Sequence, residues 1–577
     1  MLVAVPALSV DMAADDYKFR DYFLSAQKEH LSWYQTRNPP WYLTGVMADG
    51  DAETTKFLRY HSILPWWTWP NMRVAFARLL PFLTWVLDYA LWPNTIWLMH
   101  LHSLLWYGIA CLLAGLFFRR FCSDPSLALL MALLYSVDDM HALPIGWISN
   151  RGGLIATCFA CLALLAHHRW RRQGSILAAC LAPLCVLLTV LSSELGVCTL
   201  AFIVAYAFSF DRAGLRARIA SVLPSLLVVG IWRIVYTALG YGSVASGFYI
   251  DPVRQPLVFL LEWPQRHATY FAFQFGLSRW LLFSSFEFVG KQLPYLIPLI
   301  IGGGVVWLIV KRVSRDVEIR FWTIAFALGP IPLASAMPTD QTMMIAGLAG
   351  SALVAHLIAS ICRSWPAISG WRRITAGVVV GLAISINLIV SPVALARGTY
   401  LVGRTYVYLG FLPATVLGYD DNYKNEQLVI INGPDAVHAL MIQHRRRVLA
   451  MPVFRNAWLL GSGEQDVEVK RIDEHTLQLS ARGGYLADTL AAHFRGPGHP
   501  FVSGETIRLE ALTVTLVEIT IDGRPLVVRF RFDAPLTDQR FHYLAWDGDD
   551  YVLFDLPEVG GTVYLPEGRY SSKPRNR

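Results

Sequence analysis

Charged side chains are scarce in this chain. Asp, Glu, Lys and Arg make up 16% of its 577 residues, against about a quarter in an ordinary soluble domain. Cysteine is sparse as well, and its eight copies all fall in or beside apolar runs, none of them after Cys362. The C-terminal region therefore folds without disulfides. Cys158-x-x-Cys161 sits inside an apolar run and reads as two small packing residues rather than a redox or metal pair. No Walker loop is present, no Gly-x-Gly-x-x-Gly follows a strand, and Gly302-Gly303-Gly304 lies within an apolar run. Nothing here points to a bound nucleotide.

What the chain has instead is apolar surface: 55% hydrophobic residues and a mean hydropathy of +0.42. The apolar residues gather into runs long enough to cross a hydrocarbon core of about 30 Å. The predicted spans are 95–118, 125–137, 152–166, 175–191, 195–210, 221–239, 295–310, 321–336, 342–361 and 374–395. The expected fold class is a polytopic α-helical membrane protein of about ten or eleven transmembrane helices, with a mostly β domain at the C-terminus. Every second loop is short and rich in arginine (Arg119-Arg120, Arg169 to Arg172, Arg212 to Arg218, Lys311-Arg312, Arg363 to Arg373). Positive loops stay in the cytoplasm, which puts 1–93, 138–151, 192–194, 241–292, 337–341 and everything after 396 outside. The net charge of +7 belongs to this flanking pattern and implies no nucleic acid. Arginine-rich, lysine-poor usage suggests a bacterial inner membrane, with the C-terminal domain on the periplasmic side.

This topology puts the start of the chain outside with no earlier span to bring it there. The 1–10 stretch is apolar, contains Pro6 and is too short to cross. The expectation is a first transmembrane helix that is truncated or missing, with the true start upstream. The expected division is 1–93 as that remnant and a long periplasmic loop, 94–396 as the transmembrane core, 397–419 as an interfacial linker and 420–577 as a periplasmic β-rich domain. In the first loop, Trp66-Trp67-Thr68-Trp69 and the 82–91 stretch suggest helices lying at the interface. In the last region, 427–432 reads as a strand and 435–449 as a basic helix. Alternating segments across Asp522-Gly523-Arg524 give a hairpin signal, and the expected form is sandwich-like.

Adjacent carboxylates, Asp15-Asp16, open the first outside loop. Arg78-x-x-Pro81, Leu87-Asp88-Tyr89, Pro93 and His100-Leu101-His102-Ser103 follow in that order. Then come Asp138-Asp139-Met140-His141, Trp147 to Arg151, Leu191 to Val197 and Pro338 to Gln341. This order resembles the GT-C superfamily of integral-membrane glycosyltransferases, in particular the protein O-mannosyltransferases and their tetratricopeptide-bearing relatives. The departures are Asp138, Leu143, Ser103 and Gln341, where the relatives carry histidine, glutamate, asparagine and often arginine.

The resemblance implies inverting transfer of a sugar from a polyprenyl-phosphate donor to a periplasmic or envelope acceptor, whether protein, lipid or glycan. It makes Asp15 the general base and Asp16 its partner. An attacking hydroxyl must lose a proton, and adjacent carboxylates repel so that their affinities separate. The same two residues also suit the start of a helix. A departing phosphate needs positive charge, and Arg78, Arg151 and Arg233 are the leading candidates, with Arg254 and Arg266 behind them. Arg233 stands deep in a predicted span, where an arginine faces a cavity or snorkels. His100, His141 and Glu194 are candidates for assisting or acceptor binding, set against packing histidines and a helix cap. Membrane lipid is the only other expected partner. No cofactor is expected and no metal site is indicated, although a divalent cation is compatible with the chemistry. The rival readings are a non-catalytic scaffold of the same fold in envelope assembly and a lipid or solute transporter. A transporter calls for internal repeats and paired charges at mid-membrane.

Overall fold

A computed structural model describes residues 2–13, 15–26, 47–276, 293–402, 421–434, 436–462, 466–487, 489–547 and 551–566. The chain divides into two compact units. One comprises Met1–Asp11, Phe76–Leu239 and Pro252–Gly403; the other comprises Met12–Ala75, Gly240–Asp251 and Arg404–Arg577. Most of the expected linker lies outside the described residues.

In chain order, α1 (Asp16–Ala26) and α2 (Ala52–Tyr60) belong to the second unit. The first unit then supplies α3 (Leu79–Leu91), α4 (Ile96–Phe121), α5 (Pro125–Ser136), α6 (Gly152–Gln173), α7 (Ile176–Ser192), α8 (Thr199–Ser209) and α9 (Leu215–Ala238). It continues with α10 (Pro256–Phe275), α11 (Leu293–Arg312), α12 (Val317–Leu328), α13 (Gly347–Ser364) and α14 (Gly370–Ile384). Finally α15 (Ala436–Val448) returns to the second unit.

Each span expected from the sequence falls on a helix. Among the described residues, five helices are long and apolar enough to cross a membrane. The number is six if the bent pair Pro125–Ser136 and Asp139–Gly146 counts as one. Local chemistry sets the helix ends. Asp124 accepts from the amides of Ser126 and Leu127 before α5, whose first residue is Pro125, and Gly174 takes a left-handed conformation after α6. Aromatic rings from α4, α8 and α12 fill the core: Phe121 stacks on Phe321 at 5.2 Å, and Phe117 meets Trp322 edge-on at 5.5 Å. Large apolar side chains such as Leu112, Leu227, Ile231 and Ile234 point outward, as a bilayer requires and water penalises. Leu2–Ser9 forms a 3-10 helix whose Ala4 and Ala7 pack in a cluster with Leu104 and Tyr107 of α4.

The second unit holds three sheets. A small one orders β1 (Ala48–Asp49), β2 (Arg73–Ala75) and β3 (Gly242–Val244), tying part of the first loop and the 240–251 segment together. A four-stranded sheet contains β4 (Gln427–Gly433) and β5 (Asn456–Ser462), and a six-stranded one contains β6 (Val467–Arg471), β7 (Thr476–Ala481), β8 (Thr506–Arg508), β9 (Leu512–Ile519) and β10 (Pro525–Phe532). The four-stranded sheet is completed by β11 (Phe541–Trp546) and β12 (Tyr551–Leu553) in the order β12-β11-β4-β5, and the other by β13 (Thr562–Leu565) in the order β13-β6-β7-β10-β9-β8. The larger sheet is antiparallel and includes the hairpin across Asp522-Gly523-Arg524, with Gly523 at φ 76°. The smaller corrects the sandwich expectation. Its β11-β4-β5 core is parallel, and α15 makes the crossover that a parallel pair needs.

The tryptophan run is also corrected. Trp66 and Trp67 are buried within this unit, not laid at an interface, and their indole nitrogens donate to the carbonyls of Leu460 and Ala491 at 3.0 and 3.1 Å. Buried tryptophan seeks a carbonyl acceptor, and the adjoining C-terminal segments supply it.

Candidate functional site

Among the arginine–carboxylate pairs of the first unit, Arg151–Asp88 and Arg78–Glu194 gather the most sequence candidates. In one, the Arg151 guanidinium is fully enclosed at the start of α6. It donates to Asp88 Oδ2 at 2.7 Å, Ser103 Oγ at 2.9 Å, Thr84 Oγ1 at 3.1 Å and the Met99 carbonyl at 2.7 Å. Asp88 is equally buried, and its other oxygen lies 2.6 Å from His102 Nδ1. Trp106 Nε1 lies 3.1 Å from His102 Nε2, and Arg151 Nη1 lies 3.1 Å from His102 Nδ1. A buried ion pair holds only when its remaining hydrogen-bonding groups are satisfied, and here the surrounding side chains and backbone do so. Arg151 is thereby a structural cation locking α3 and α4 to α6. Expected to bind a donor phosphate, its guanidinium here donates to protein oxygens.

The second group is half-open. Arg78, directly before α3, donates from Nε to Glu194 Oε2 at 3.1 Å, and the two side chains remain 29% and 25% exposed. Glu194 begins the turn between α7 and α8, and Tyr236 of α9 donates to its Oε1 at 3.3 Å. The guanidinium of Arg233 lies 5.8 Å from the centre of the Tyr236 ring. Three sequence candidates, Arg78, Glu194 and Arg233, thus converge around a tyrosine that the sequence did not single out. Arg233 is not at mid-helix: α9 starts at Leu215 rather than at 221, so Arg233 falls in its last two turns. Gly196 fixes the turn. A Cβ there would approach the Thr189 carbonyl carbon at 2.6 Å.

Asp15 and Asp16 belong to the second unit. Asp16 is 2% exposed and opens α1; its carboxylate accepts from the Ala13 amide at 2.9 Å, while its own amide donates to the Ala13 carbonyl. Asp15 is half-buried. Burial holds the Lys18 ammonium below its ordinary value, and the Asp15 carboxylate opposes that shift. One turn further on, Asp21 accepts from His444 Nδ1 at 2.8 Å and from Arg447 at 2.5 Å, while the guanidinium of Arg445 lies 5.1 Å from the Tyr17 ring. The basic face of α15 therefore grips the helix that begins with the acidic pair.

The remaining candidates stand apart from these groups. His100 is wholly buried, and neither of its ring nitrogens makes a hydrogen bond of good geometry among the described residues. His141 is packed between the rings of Tyr107 and Tyr135, with the Tyr107 hydroxyl 3.5 Å from Nδ1. Both, expected as assisting groups, are buried in this structure. Asp138 caps a 3-10 turn through the Met140 amide, Asp139 accepts from the Ser391 hydroxyl at 2.6 Å, and Gln341 accepts from Asn150. Arg254 is exposed, and Arg266 donates to the Ala334 carbonyl at 3.1 Å. Among the described residues, no group of three His, Cys, Asp or Glu could hold a metal ion. Sequence reading noticed Asp88 but not its partner. A carboxylate in an apolar helix announces a buried cation somewhere, and Arg151 is that cation.

No protein-family model matches the chain, and no curated protein matches it. Solved structures resemble it at a distance. ArnT from Cupriavidus metallidurans bound to undecaprenyl phosphate aligns at 14% identity and a TM-score of 0.34, covering 73% of this chain and 87% of its own. Its apo form aligns at 15% and 0.33, over 72% and 82%. The archaeal oligosaccharyltransferase AglB from Archaeoglobus fulgidus, in complex with an inhibitory peptide and a dolichol-phosphate, aligns at 12% and 0.34, over 72% of this chain and 60% of its own. At such identities and scores the likenesses transfer no chemistry to this chain.

Proposed function

We propose that the chain is a membrane glycosyltransferase of the GT-C type, taking its sugar from a polyprenyl-phosphate donor. The observation that carries this reading is the half-open group of Arg78, Glu194, Arg233 and Tyr236. Two guanidiniums beside one carboxylate, in a helical unit with a lipid-facing surface, suit an anionic headgroup tethered to an apolar chain. Arg78 and Arg233 bind the phosphate and stabilise the charge that grows as the bond from anomeric carbon to phosphate oxygen breaks. Glu194 holds Arg78 in place. The order of motifs along the chain supports the same reading.

In this scheme Asp15 takes the proton from the acceptor hydroxyl as its oxygen bonds to the anomeric carbon and polyprenyl phosphate departs, a single displacement that inverts the configuration. Asp16, tied to the Ala13 amide, orders the start of α1 and positions Asp15. Arg151 holds the fold. The periplasmic face of a bacterial inner membrane is the proposed location, with the β-rich unit outside.

The test is sugar transfer by membranes containing the chain, supplied with a panel of polyprenyl-phosphate sugars and envelope acceptors. Asp15→Asn and Arg78→Gln should abolish or cripple transfer at unchanged expression. Transfer that survives both substitutions would overturn the assignment.

A further inference from the structure

At the arginine-rich end of the first unit, the loop between α11 and α12 forms an open cleft of about 600 Å³. Lys311, Arg312, Arg315, Asp316, Val317 and Glu318 line it. The two carboxylates are committed elsewhere. Asp316 accepts from the amides of Glu318 and Ile319 at 2.9 and 3.1 Å, capping α12. Glu318 accepts from the Ser123 amide at 2.8 Å through Oε1, and its Oε2 stands 3.6 Å from His356 Nε2. Arg320 braces the loop from behind, donating to the carbonyls of Val313 and Ser314 at 3.1 and 2.7 Å. Lys311, Arg312 and Arg315 remain, and among the described residues none of them has a carboxylate within ion-pair distance. Three cations on a braced loop thus outnumber the two carboxylates of the cleft, which are turned to backbone amides.

The surface leading to the cleft identifies the anion's source. Val306, Trp307 and Val310 project outward from the last turns of α11, exposed by 48%, 51% and 75%, and the Lys311 ammonium lies 5.9 Å from the Trp307 ring. A free phosphate has no use for that apolar strip, whereas a lipid would lay its acyl chains on it. We propose that this cleft binds the phosphate headgroup of an anionic phospholipid whose chains run along the outward face of α11. Basic pockets at the cytoplasmic ends of transmembrane helices suit this chemistry, and tryptophan sits well at headgroup level. The site is independent of the proposed donor site, which is built from other helices.

The experiment uses the full chain, purified in a neutral detergent, and follows its thermal unfolding. A short-chain phosphatidylglycerol, the matching phosphatidylcholine and inorganic phosphate are added at equal concentration. Phosphatidylglycerol should raise the melting temperature in a saturable way, while the other two leave it unmoved. The Lys311→Gln/Arg312→Gln/Arg315→Gln variant should bind phosphatidylglycerol about a hundredfold more weakly, and Arg315→Gln alone about fivefold. Arg372→Gln/Arg373→Gln, also on the arginine-rich loops, should retain wild-type affinity. No shift with phosphatidylglycerol, an equal shift with inorganic phosphate, or an equal loss in the Arg372/Arg373 variant would each overturn the proposal.

Discussion

Arg151–Asp88 and Arg78–Glu194 are the same chemical pair in two environments. The first is sealed from solvent, with serine, threonine and backbone oxygens completing its donors. The second keeps about a quarter of each side chain exposed. Enclosure converts an arginine into a structural bolt, while partial exposure leaves a guanidinium that a protein carboxylate can hold while its open side meets a ligand phosphate. Sequence alone treated both arginines alike. Their surroundings separate them.

The largest effect should come from unbalancing the sealed pair. Replacing one partner leaves a buried charge without its counterion, so Arg151→Met or Asp88→Asn should destabilise the first unit by about 3–5 kcal/mol, read as lost folded protein in detergent. A variant that melts like the wild type would place the pair in solvent. The half-open pair should behave in the opposite way: Arg78→Gln and Arg233→Gln should leave folding intact and lower transfer by about 10²–10³-fold, as loss of one transition-state donor does. Stability loss without a specific kinetic effect would make that pair structural too.

Gly196→Ala tests the turn beneath Glu194. Its new methyl would meet the Thr189 backbone at 2.6–2.7 Å, a contact that rotation cannot relieve. Overpacking of this kind costs about 1–3 kcal/mol, and transfer should fall because Glu194 shifts. Full activity at unchanged melting temperature would count against the positioning role of this turn.

The smallest effect concerns the grip on α1. Burial opposes ionisation of Asp21, but the His444 hydrogen bond and the Arg447 charge outweigh it and hold the carboxyl below its ordinary value of 3.8. Burial lowers His444 from its ordinary 6.5 despite the Asp21 contact, with Arg447 and Lys18 adding to the lowering. Both groups bind protons more weakly when folded. Their stabilisation is therefore complete above the unfolded histidine value, begins to fade as pH falls below 6.5, and fades again below 3.8 as Asp21 protonates. Hydrogen exchange of the α1 amides, corrected for intrinsic rate, should quicken between pH 7.5 and 5.5, and His444→Gln should flatten that slope. A slope unchanged by His444→Gln would remove the histidine from the account.

Features written locally were legible in the sequence. Asp124-Pro125 before α5, the Arg119-Arg120 end of α4, the hairpin across Asp522-Gly523-Arg524 and the helix between β4 and β5 all declare themselves within a few residues. Features that join distant segments were not. Asp88 and Arg151 lie 63 residues apart, and no local period connects them. The burial of Trp66 and Trp67 depends on carbonyls from the C-terminal region, which aromatic content alone cannot foretell. The parallel pairing of β11 with β4 requires a return of the chain that strand propensity does not encode. Tyr236 stayed hidden because one tyrosine near a helix end carries no signal until Glu194 is placed beside it.

The central claim is that the open pair, not the sealed one, recognises phosphate on a lipid. The most direct measurement is the affinity of the purified full chain for a polyprenyl phosphate, comparing wild type with Arg78→Gln, Arg233→Gln and the Lys311/Arg312/Arg315 triple glutamine variant. The account predicts that donor-site binding is weakened by about tenfold or more in each of the first two, as loss of a charged hydrogen bond entails, and that the triple variant retains this donor-site binding. Wild-type affinity in both Arg78→Gln and Arg233→Gln would contradict it.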